Sequence, residues 1–144
     1  MIIINPDKTL PFIDVLTDLW EASVRATHHF LTEEDIQRLV PFVKKGLSGI
    51  ETLVVAREGS IPVAFMGMNG DKIEMLFVSP HYFGKGIGRE LVELGMARYG
   101  VRYVDVNEQN PQAAGFYRHI GFEVFERTEV DAEGNPFPIL KMKL

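Results

Sequence analysis

The stretch KIEMLFVSPHYFGKGIGR, residues 72–89, leads from an apolar run through a glycine-rich loop into the start of a helix. Lys72 to Val78 is predicted to form a strand, and the helix is predicted to continue to about Tyr99. Glycines at positions 84, 86 and 88 leave backbone N–H groups unobstructed beside the positive end of the helix dipole, which suits a phosphate or pyrophosphate group. The same glycines also fit a tight turn that only requires positive φ angles.

The chain before this stretch shows helical spacing first and strand patterns afterwards. Apolar residues at steps of three and four predict a helix from about Thr9 to Ala26 and a second helix after Leu31, in which Pro41 predicts a bend or a break. The predicted strands before the stretch are Met1 to Ile4, Thr52 to Arg57 and Ile61 to Met68. Asn69-Gly70 then predicts a hairpin turn into the quoted stretch, because both residues tolerate positive φ.

The chain after this stretch continues to alternate between strands and helices. The predicted elements are a strand at Tyr103 to Asn107, a helix at Pro111 to Ile120, and terminal strands at Phe122 to Val130 and Ile139 to Met142. The whole order, β α α β β β α β α β β, predicts an α+β fold with a mixed, mostly antiparallel sheet flanked by helices. No repeat, low-complexity segment or linker divides the chain, so we expect one domain, 1–144.

Composition excludes several classes of function. The 15 Lys and Arg residues against 20 Asp and Glu give a net charge of −5, which argues against nucleic acid as a partner. The absence of Cys removes thiol nucleophiles, Cys-ligated metals and disulfides. No apolar run approaches the length of a membrane span, and the first residues lack a secretory pattern, so we expect a cytoplasmic protein with no membrane partner.

A second motif occupies residues 107–122, NEQNPQAAGFYRHIGF. On the predicted helix, Ala113, Phe116, Tyr117 and Ile120 recur at the spacing of one apolar face. The hydroxyl of an inward-facing Tyr117 needs a partner, which is either a backbone carbonyl in the core or a ligand.

A dinucleotide site of the Rossmann type is one interpretation of the glycine-rich loop. Asp105 lies 21 residues after Gly84 (105 − 84), near the usual position of the ribose-binding acid. Two observations count against this interpretation. Arg89 replaces the third glycine of the G-x-G-x-x-G pattern, and the loop follows an antiparallel meander.

Both motifs, in this order and at this spacing, resemble the GNAT-type N-acetyltransferase superfamily. The second motif matches the pattern N-x-x-N-x-x-A-x-x-F-Y-x-x-x-G-F at Asn107, Asn110, Ala113, Phe116, Tyr117, Gly121 and Phe122. Within the superfamily, the chain is most similar to the YjaB-type bacterial acetyltransferases. The resemblance implies the GNAT acyltransferase fold. One departure is Phe83, which stands where the family usually has Gln or Arg before the first glycine.

The resemblance implies acetyl-CoA as the cosubstrate and no metal. The backbone of Leu76, Phe77 and Val78 would pair with the pantetheine arm, and amides from Gly84 to Arg89 would hold the pyrophosphate, with Lys85 and Arg89 compensating for Phe83. The residues that it assigns to the cofactor are Leu76, Phe77, Val78, Gly84, Lys85, Gly86, Ile87, Gly88, Arg89, Asn107, Asn110, Phe116 and Tyr117.

The resemblance also implies direct transfer of acetyl to a primary amine, with Tyr117 as the general acid that protonates the CoA thiolate. Glu74 is the first candidate for the base, because on a regular strand it shares a face with Leu76 and Val78. His28 is the second candidate, because an unperturbed imidazole titrates near neutral pH. Both residues also fit non-catalytic roles, Glu74 as a solvated acid on a strand and His28 as a surface or capping residue.

Two further points stay open at the level of sequence. A catalytically silent CoA-binding module is the alternative to an enzyme, because the base is not fixed and Phe83 departs from the family pattern. Neither the amine acceptor nor the choice between a monomer and a homodimer follows from the sequence. Trp20, Phe30 and Phe42 are candidates for an acceptor pocket, although core packing also accounts for them.

Overall fold

The computed structural model, which describes residues 1–144, contains one seven-stranded sheet and four helices. The strands are β1 (Ile2–Ile4), β2 (Thr52–Glu58), β3 (Ile61–Asn69), β4 (Lys72–Val78), β5 (Tyr103–Asn107), β6 (Glu123–Thr128) and β7 (Ile139–Lys143). The helices are α1 (Leu10–Thr27), α2 (Glu33–Gly49), α3 (Ile87–Tyr99) and α4 (Pro111–Ile120). None of the four helices has the length and apolarity needed to cross a bilayer.

The strand order across the sheet is β1-β2-β3-β4-β5-β7-β6. Every neighbouring pair is antiparallel except β4 and β5, which are parallel and are connected through α3. This topology confirms the predicted α+β class and element order. It contradicts the Rossmann interpretation, which requires a series of parallel strands.

The sheet separates two apolar cores. The core on one face includes Val92 of α3 and Tyr117 of α4. The core on the other face includes Leu16 and Trp20 of α1 and Leu47 of α2. A residue on the central strands therefore faces either the α3/α4 side or the α1/α2 side, and this distinction organises the site.

The structure corrects three local predictions. Helix α2 runs unbroken through Pro41, because Thr32 and Asp35 form a capping box at its start and its apolar residues on both sides of Pro41 pack on the sheet. An unpredicted 3-10 turn, Pro80–Tyr82, follows β4. Strand β6 ends at Thr128, two residues before the predicted Val130, and the buried Phe122 precedes it.

Candidate active site

A fork between β4 and β5 forms a large cleft. The two strands pair only at Lys72 with Tyr103 and Ile73 with Val104, and then they separate. The gap holds a cleft of about 680 Å³, which is lined by both strands, the end of α1, the glycine-rich loop with the start of α3, and α4. Because β5 leaves β4 after Ile73, one edge of β4 from Glu74 to Val78 has no strand partner.

A β-bulge at Glu74 changes which way β4 points its side chains. On β3, Met68 pairs with Ile73 while the next residue, Gly67, pairs with Met75, so Glu74 is an extra residue. Leu76 and Val78 contact the α3/α4 core, as Ile73 does, whereas Met75 and Phe77 contact the α1/α2 core. A strand without the bulge would place Ile73 and Met75 on one face.

The bulge lets Glu74 take either face, and its contact with Lys72 places it on the opposite face from Leu76 and Val78, contrary to the prediction. Its carboxylate lies 3.9 Å from Nζ of Lys72, which also pairs with Asp105 at 2.9 Å. Asp105 alternates with Val104 and Val106, both in the α3/α4 core, so its side chain points to the α1/α2 side. The fork therefore carries Glu74, Lys72 and Asp105 on the side where α1 packs.

The glycine-rich loop presents open backbone to the cleft. Gly84 and Gly86 have φ angles of +74° and +80°, and a Cβ built on either one meets no atom within 4 Å. Gly86 is also the N-cap of α3 and supplies no side-chain cap. The first N–H groups of α3 have no partner in the helix, so the positive end of its dipole faces the cleft.

Most of the predicted cofactor residues line this cleft together, and Lys85 is the exception. Its ammonium lies 5.1 Å from the centre of the Tyr82 ring, and its side chain lines a separate cavity beside β2. Arg89 lines the cleft but pairs with Glu93 at 2.7 Å. Phe83 also lines the cleft. The loop therefore faces the cleft with its backbone amides and with Arg89, while the Lys85 side chain lies elsewhere.

Tyr117 lies on the α3/α4 side of the fork, where only 5% of its surface is exposed. Its ring packs edge-on against Phe116 at 5.0 Å and Phe122 at 5.5 Å. Its hydroxyl makes no hydrogen bond with another protein group, and burial raises the pKa of the phenol. A core tyrosine bonded to a carbonyl is thus the wrong interpretation, and the phenol is left protonated and free to donate.

The two asparagines of the second motif mark the start of α4. Asn110 is buried, and its Oδ1 accepts a hydrogen bond from N–H of Ala113 at 3.2 Å. Asn107 ends β5, and its carbonyl accepts a hydrogen bond from N–H of Asn110 at 3.0 Å. Both residues line the cleft, and the cap occupies one acceptor position of Asn110 Oδ1 while its amide nitrogen has no partner in the protein.

His28 follows the last residue of α1 and lines the cleft from the α1/α2 side. Its ring stacks at a tilt on Phe30, with 5.4 Å between the ring centres, and Nδ1 lies 2.8 Å from Oγ1 of Thr27. Burial, with a smaller effect of His29, lowers the pKa of the imidazole from 6.5 to about 4. The ring is therefore neutral at physiological pH and a weaker base than its residue type suggests.

Several cleft residues escaped the sequence analysis. Ser23 and Thr27 follow one another by one helical turn in α1, and Gln112 lies in the first turn of α4. The i, i+4 spacing of Ser23 and Thr27, just before His28, was the available signal, because it places their two hydroxyls on one helix face.

The three aromatic candidates for an acceptor pocket do not line the cleft. Trp20 is buried in the α1/α2 core, Phe42 is 52% exposed on α2, and Phe30 lies between His28 and Phe137. No group of three or more His, Asp or Glu side chains is arranged to hold a metal ion.

Comparison with known proteins places this geometry in context. A family model described as an acetyltransferase (GNAT) domain matches residues 49–124. The chain is 40% identical over 127 residues to the peptidyl-lysine N-acetyltransferase YjaB of Escherichia coli K12, covering 88% of this chain and 86% of that protein. It is 39% identical over the same length to YjaB of Salmonella typhimurium LT2, with 88% of each chain covered.

Solved structures agree with the sequence comparison. The solution structure of apo-form YjaB from Escherichia coli superposes with a TM-score of 0.87 at 38% identity, covering 99% of this chain and 97% of that one. A PaiA N-acetyltransferase from Thermoplasma acidophilum, crystallised with coenzyme A, superposes with a TM-score of 0.68 at 21% identity, covering 100% and 99%. The second likeness supports the fold alone.

Proposed function

The chain belongs to the GNAT acetyltransferase family and is an acetyl-CoA-dependent N-acetyltransferase, and we propose that its acceptor is the side-chain amine of a lysine in a protein. The support for this acceptor is that two relatives, 39% and 40% identical over 127 residues, are peptidyl-lysine N-acetyltransferases. Of the two interpretations that the sequence left open, the chain is therefore an enzyme and not a catalytically silent CoA-binding module. A cytoplasmic location, a monomeric or dimeric state and the lack of nucleic acid partners stay predictions.

We propose that acetyl-CoA enters from the α3/α4 side of the fork. The N–H groups at the start of α3, behind Gly84 and Gly86, would hold the pyrophosphate without a clash, since the space beside both glycines is empty. The unpaired edge of β4 from Glu74 to Val78 offers main-chain donors and acceptors to the amides of the pantetheine arm. Asn107, Asn110 and Phe116 would contact the arm near the thioester.

Tyr117 is the proposed general acid. The single observation that carries the mechanism is that this largely buried side chain lines the cleft and its hydroxyl has no partner within the protein. The amine nitrogen attacks the thioester carbon, the C–S bond breaks, and the departing thiolate takes the phenolic proton. Burial disfavours a full negative charge on the sulfur, and a phenol that stays protonated at neutral pH can share its proton with the sulfur as the C–S bond breaks. Solvent then returns the proton to Tyr117.

Glu74 and His28 are the proposed groups that receive the amine from the α1/α2 side. The Glu74 carboxylate attracts an ammonium and takes its proton, and the neutral His28 accepts an N–H hydrogen bond that orients the nitrogen. The low basicity of His28 argues against this ring as the proton acceptor. Direct transfer between the two sides needs no enzyme-bound acetyl group, and the chain has no Cys to carry one.

Tyr117→Phe tests this proposal. Loss of the proton donor should lower turnover about 10²–10⁴-fold. The affinity for CoA, measured by calorimetry, should change little, because the ring and its packing remain. Tyr99→Phe, in α3 and away from the cleft, is the matched control and should behave as the wild type. Unchanged turnover in Tyr117→Phe would remove Tyr117 from the mechanism.

A further inference from the structure

The hydroxyl of Thr27 contacts two polar groups at the end of α1. Its Oγ1 lies 2.8 Å from the carbonyl oxygen of Ser23, one helical turn earlier. The same oxygen lies 2.8 Å from Nδ1 of His28. Thr27 and His28 both line the cleft on the side that faces away from Tyr117.

These two contacts determine which nitrogen of His28 carries the proton. A hydroxyl has one proton, and a backbone carbonyl can only accept, so the Thr27 proton goes to the Ser23 carbonyl. The hydroxyl oxygen is then an acceptor toward Nδ1, which must be the N–H of the neutral ring. Nε2 is left with the lone pair.

We propose that Thr27 is a positioning residue of the acetyl transfer, which holds His28 as the Nδ1–H tautomer so that Nε2 accepts a hydrogen bond from the acceptor amine. The inference rests on the proposed function for the role of His28, while the tautomer itself follows from the contacts of Thr27. With the other tautomer, Nε2 would present an N–H to the amine, and the hydrogen bond that orients it would be lost.

The surroundings of His28 restrict its freedom to respond in other ways. Phe30 lies against the ring at 5.4 Å, and Phe137 of the loop before β7 lies against Phe30 at 5.7 Å, so the contact of Phe30 with the imidazole is itself supported by that loop. Burial keeps the ring neutral near pH 7, so the tautomer is the variable that Thr27 controls. Besides the neighbouring His29, the titratable side chains that share the cleft are Glu74, Tyr82, Arg89, Asp105 and Tyr117.

The imidazole nitrogens can be observed directly by two-bond ¹H–¹⁵N NMR on the full chain labelled at histidine, at neutral pH. The wild type should show the Nδ1–H pattern for His28. Thr27→Val, which keeps the shape but removes the oxygen, should shift His28 toward Nε2–H, and Thr27→Ser should retain the wild-type pattern. Thr17→Val is the control, since Thr17 makes the same bond to a carbonyl of α1, that of Ile13 at 2.7 Å, away from the cleft.

Kinetics on a lysine peptide supply the second readout. Thr27→Val should lower kcat/KM for the amine about 3- to 10-fold, the effect of one net hydrogen bond, with KM for acetyl-CoA unchanged, and Thr27→Ser should restore it. The inference would be overturned if the wild type showed the Nε2–H pattern, or if Thr27→Val left the tautomer of His28 unchanged. It would also be overturned if Thr27→Val shifted the tautomer without changing kcat/KM for the amine. Failure of the proposed function looks different: His28→Ala would leave kcat/KM for the amine unchanged, whatever the tautomer.

Discussion

The two sides of the fork differ in the kind of chemical group that they present to the cleft. On the α3/α4 side, the site consists of backbone N–H groups behind Gly84 and Gly86 together with one buried phenol, Tyr117. On the α1/α2 side, it consists of side chains from separate elements, His28 after α1 and Glu74 on β4. We call the α3/α4 side, where acetyl-CoA is proposed to bind, the donor side, and the α1/α2 side, where the amine is proposed to bind, the acceptor side. The donor side needs particular backbone angles, while the acceptor side needs particular side chains held in place by tertiary packing.

This difference separates the part of the site that depends on backbone conformation from the part that depends on side-chain identity. Backbone recognition of a phosphate is independent of side-chain identity, so one loop serves any enzyme that uses the same cosubstrate. Side chains at the end of α1 and on the bulge of β4 can change without disturbing that loop. If this comparison is right, substitutions on the α1/α2 side should change the reaction of the amine, and substitutions on the α3/α4 side should change the affinity for CoA.

The largest separation is expected for Glu74→Gln. The substitution keeps the size of the side chain but removes the proton acceptor, so turnover at neutral pH should fall about 10²–10⁴-fold. The loss should shrink at high pH, where more of the lysine acceptor is already deprotonated. Calorimetry should find the affinity for CoA little changed, because Glu74 points away from the donor side.

Glu126→Gln is the matched control for this experiment. Glu126 also lies on a strand and pairs with a lysine, Lys141 at 3.3 Å, but it does not line the cleft. It should keep wild-type turnover. A Glu74→Gln enzyme with a normal pH–rate profile would show that the amine loses its proton elsewhere, and the acceptor side would then have to be assigned again.

The burial of His28 predicts a dependence of stability on pH that belongs to the acceptor side alone. Its pKa falls from 6.5 to about 4 on folding, so between these values the unfolded chain binds more protons than the folded one. Stability should therefore drop as the pH is lowered from 6.5 to 4, by up to about 3 kcal/mol from this group.

Urea unfolding at several pH values measures this effect. His28→Gln should flatten the pH dependence in that window, while His119→Gln, on α4 outside the cleft, should leave it as in the wild type. An identical slope in the wild type and in His28→Gln would mean that the ring is solvated in solution. The hydrogen bond that it is proposed to offer to the amine would then be weakened by water.

Sequence alone predicted the donor side because its chemistry is local. A glycine at position 84 or 86 has one evident purpose, a positive φ beside a helix start, and the loop and helix are contiguous in the chain. Tyr117 could be singled out for a related reason, since helical spacing turns it inward while its hydroxyl needs a partner. The order of elements followed from equally local signals, such as the Asn69-Gly70 turn.

The acceptor side escaped prediction because its chemistry is not local. The face of Glu74 depends on a bulge opposite Gly67, and strict alternation along β4 gave the wrong side. The low basicity of His28 results from its burial, which the adjacent sequence does not predict. Each of these outcomes is set by contacts between distant segments.

Gly86→Ala gives the smallest effect and the most direct comparison of the two kinds of recognition. An alanine at φ +80° costs about 1–2 kcal/mol, and relief of that strain should move the N–H groups at the start of α3. We expect a loss of stability of that size in urea and a CoA affinity weaker by about tenfold. Gly134→Ala, at φ +81° in the loop before β7 and also without an atom within 4 Å of its Cβ, should lose the same stability. Because Gly134 does not line the cleft, the Gly134→Ala variant should keep a normal affinity for CoA. Equal losses of affinity in both variants would refute the binding of the pyrophosphate by the N–H groups at the start of α3.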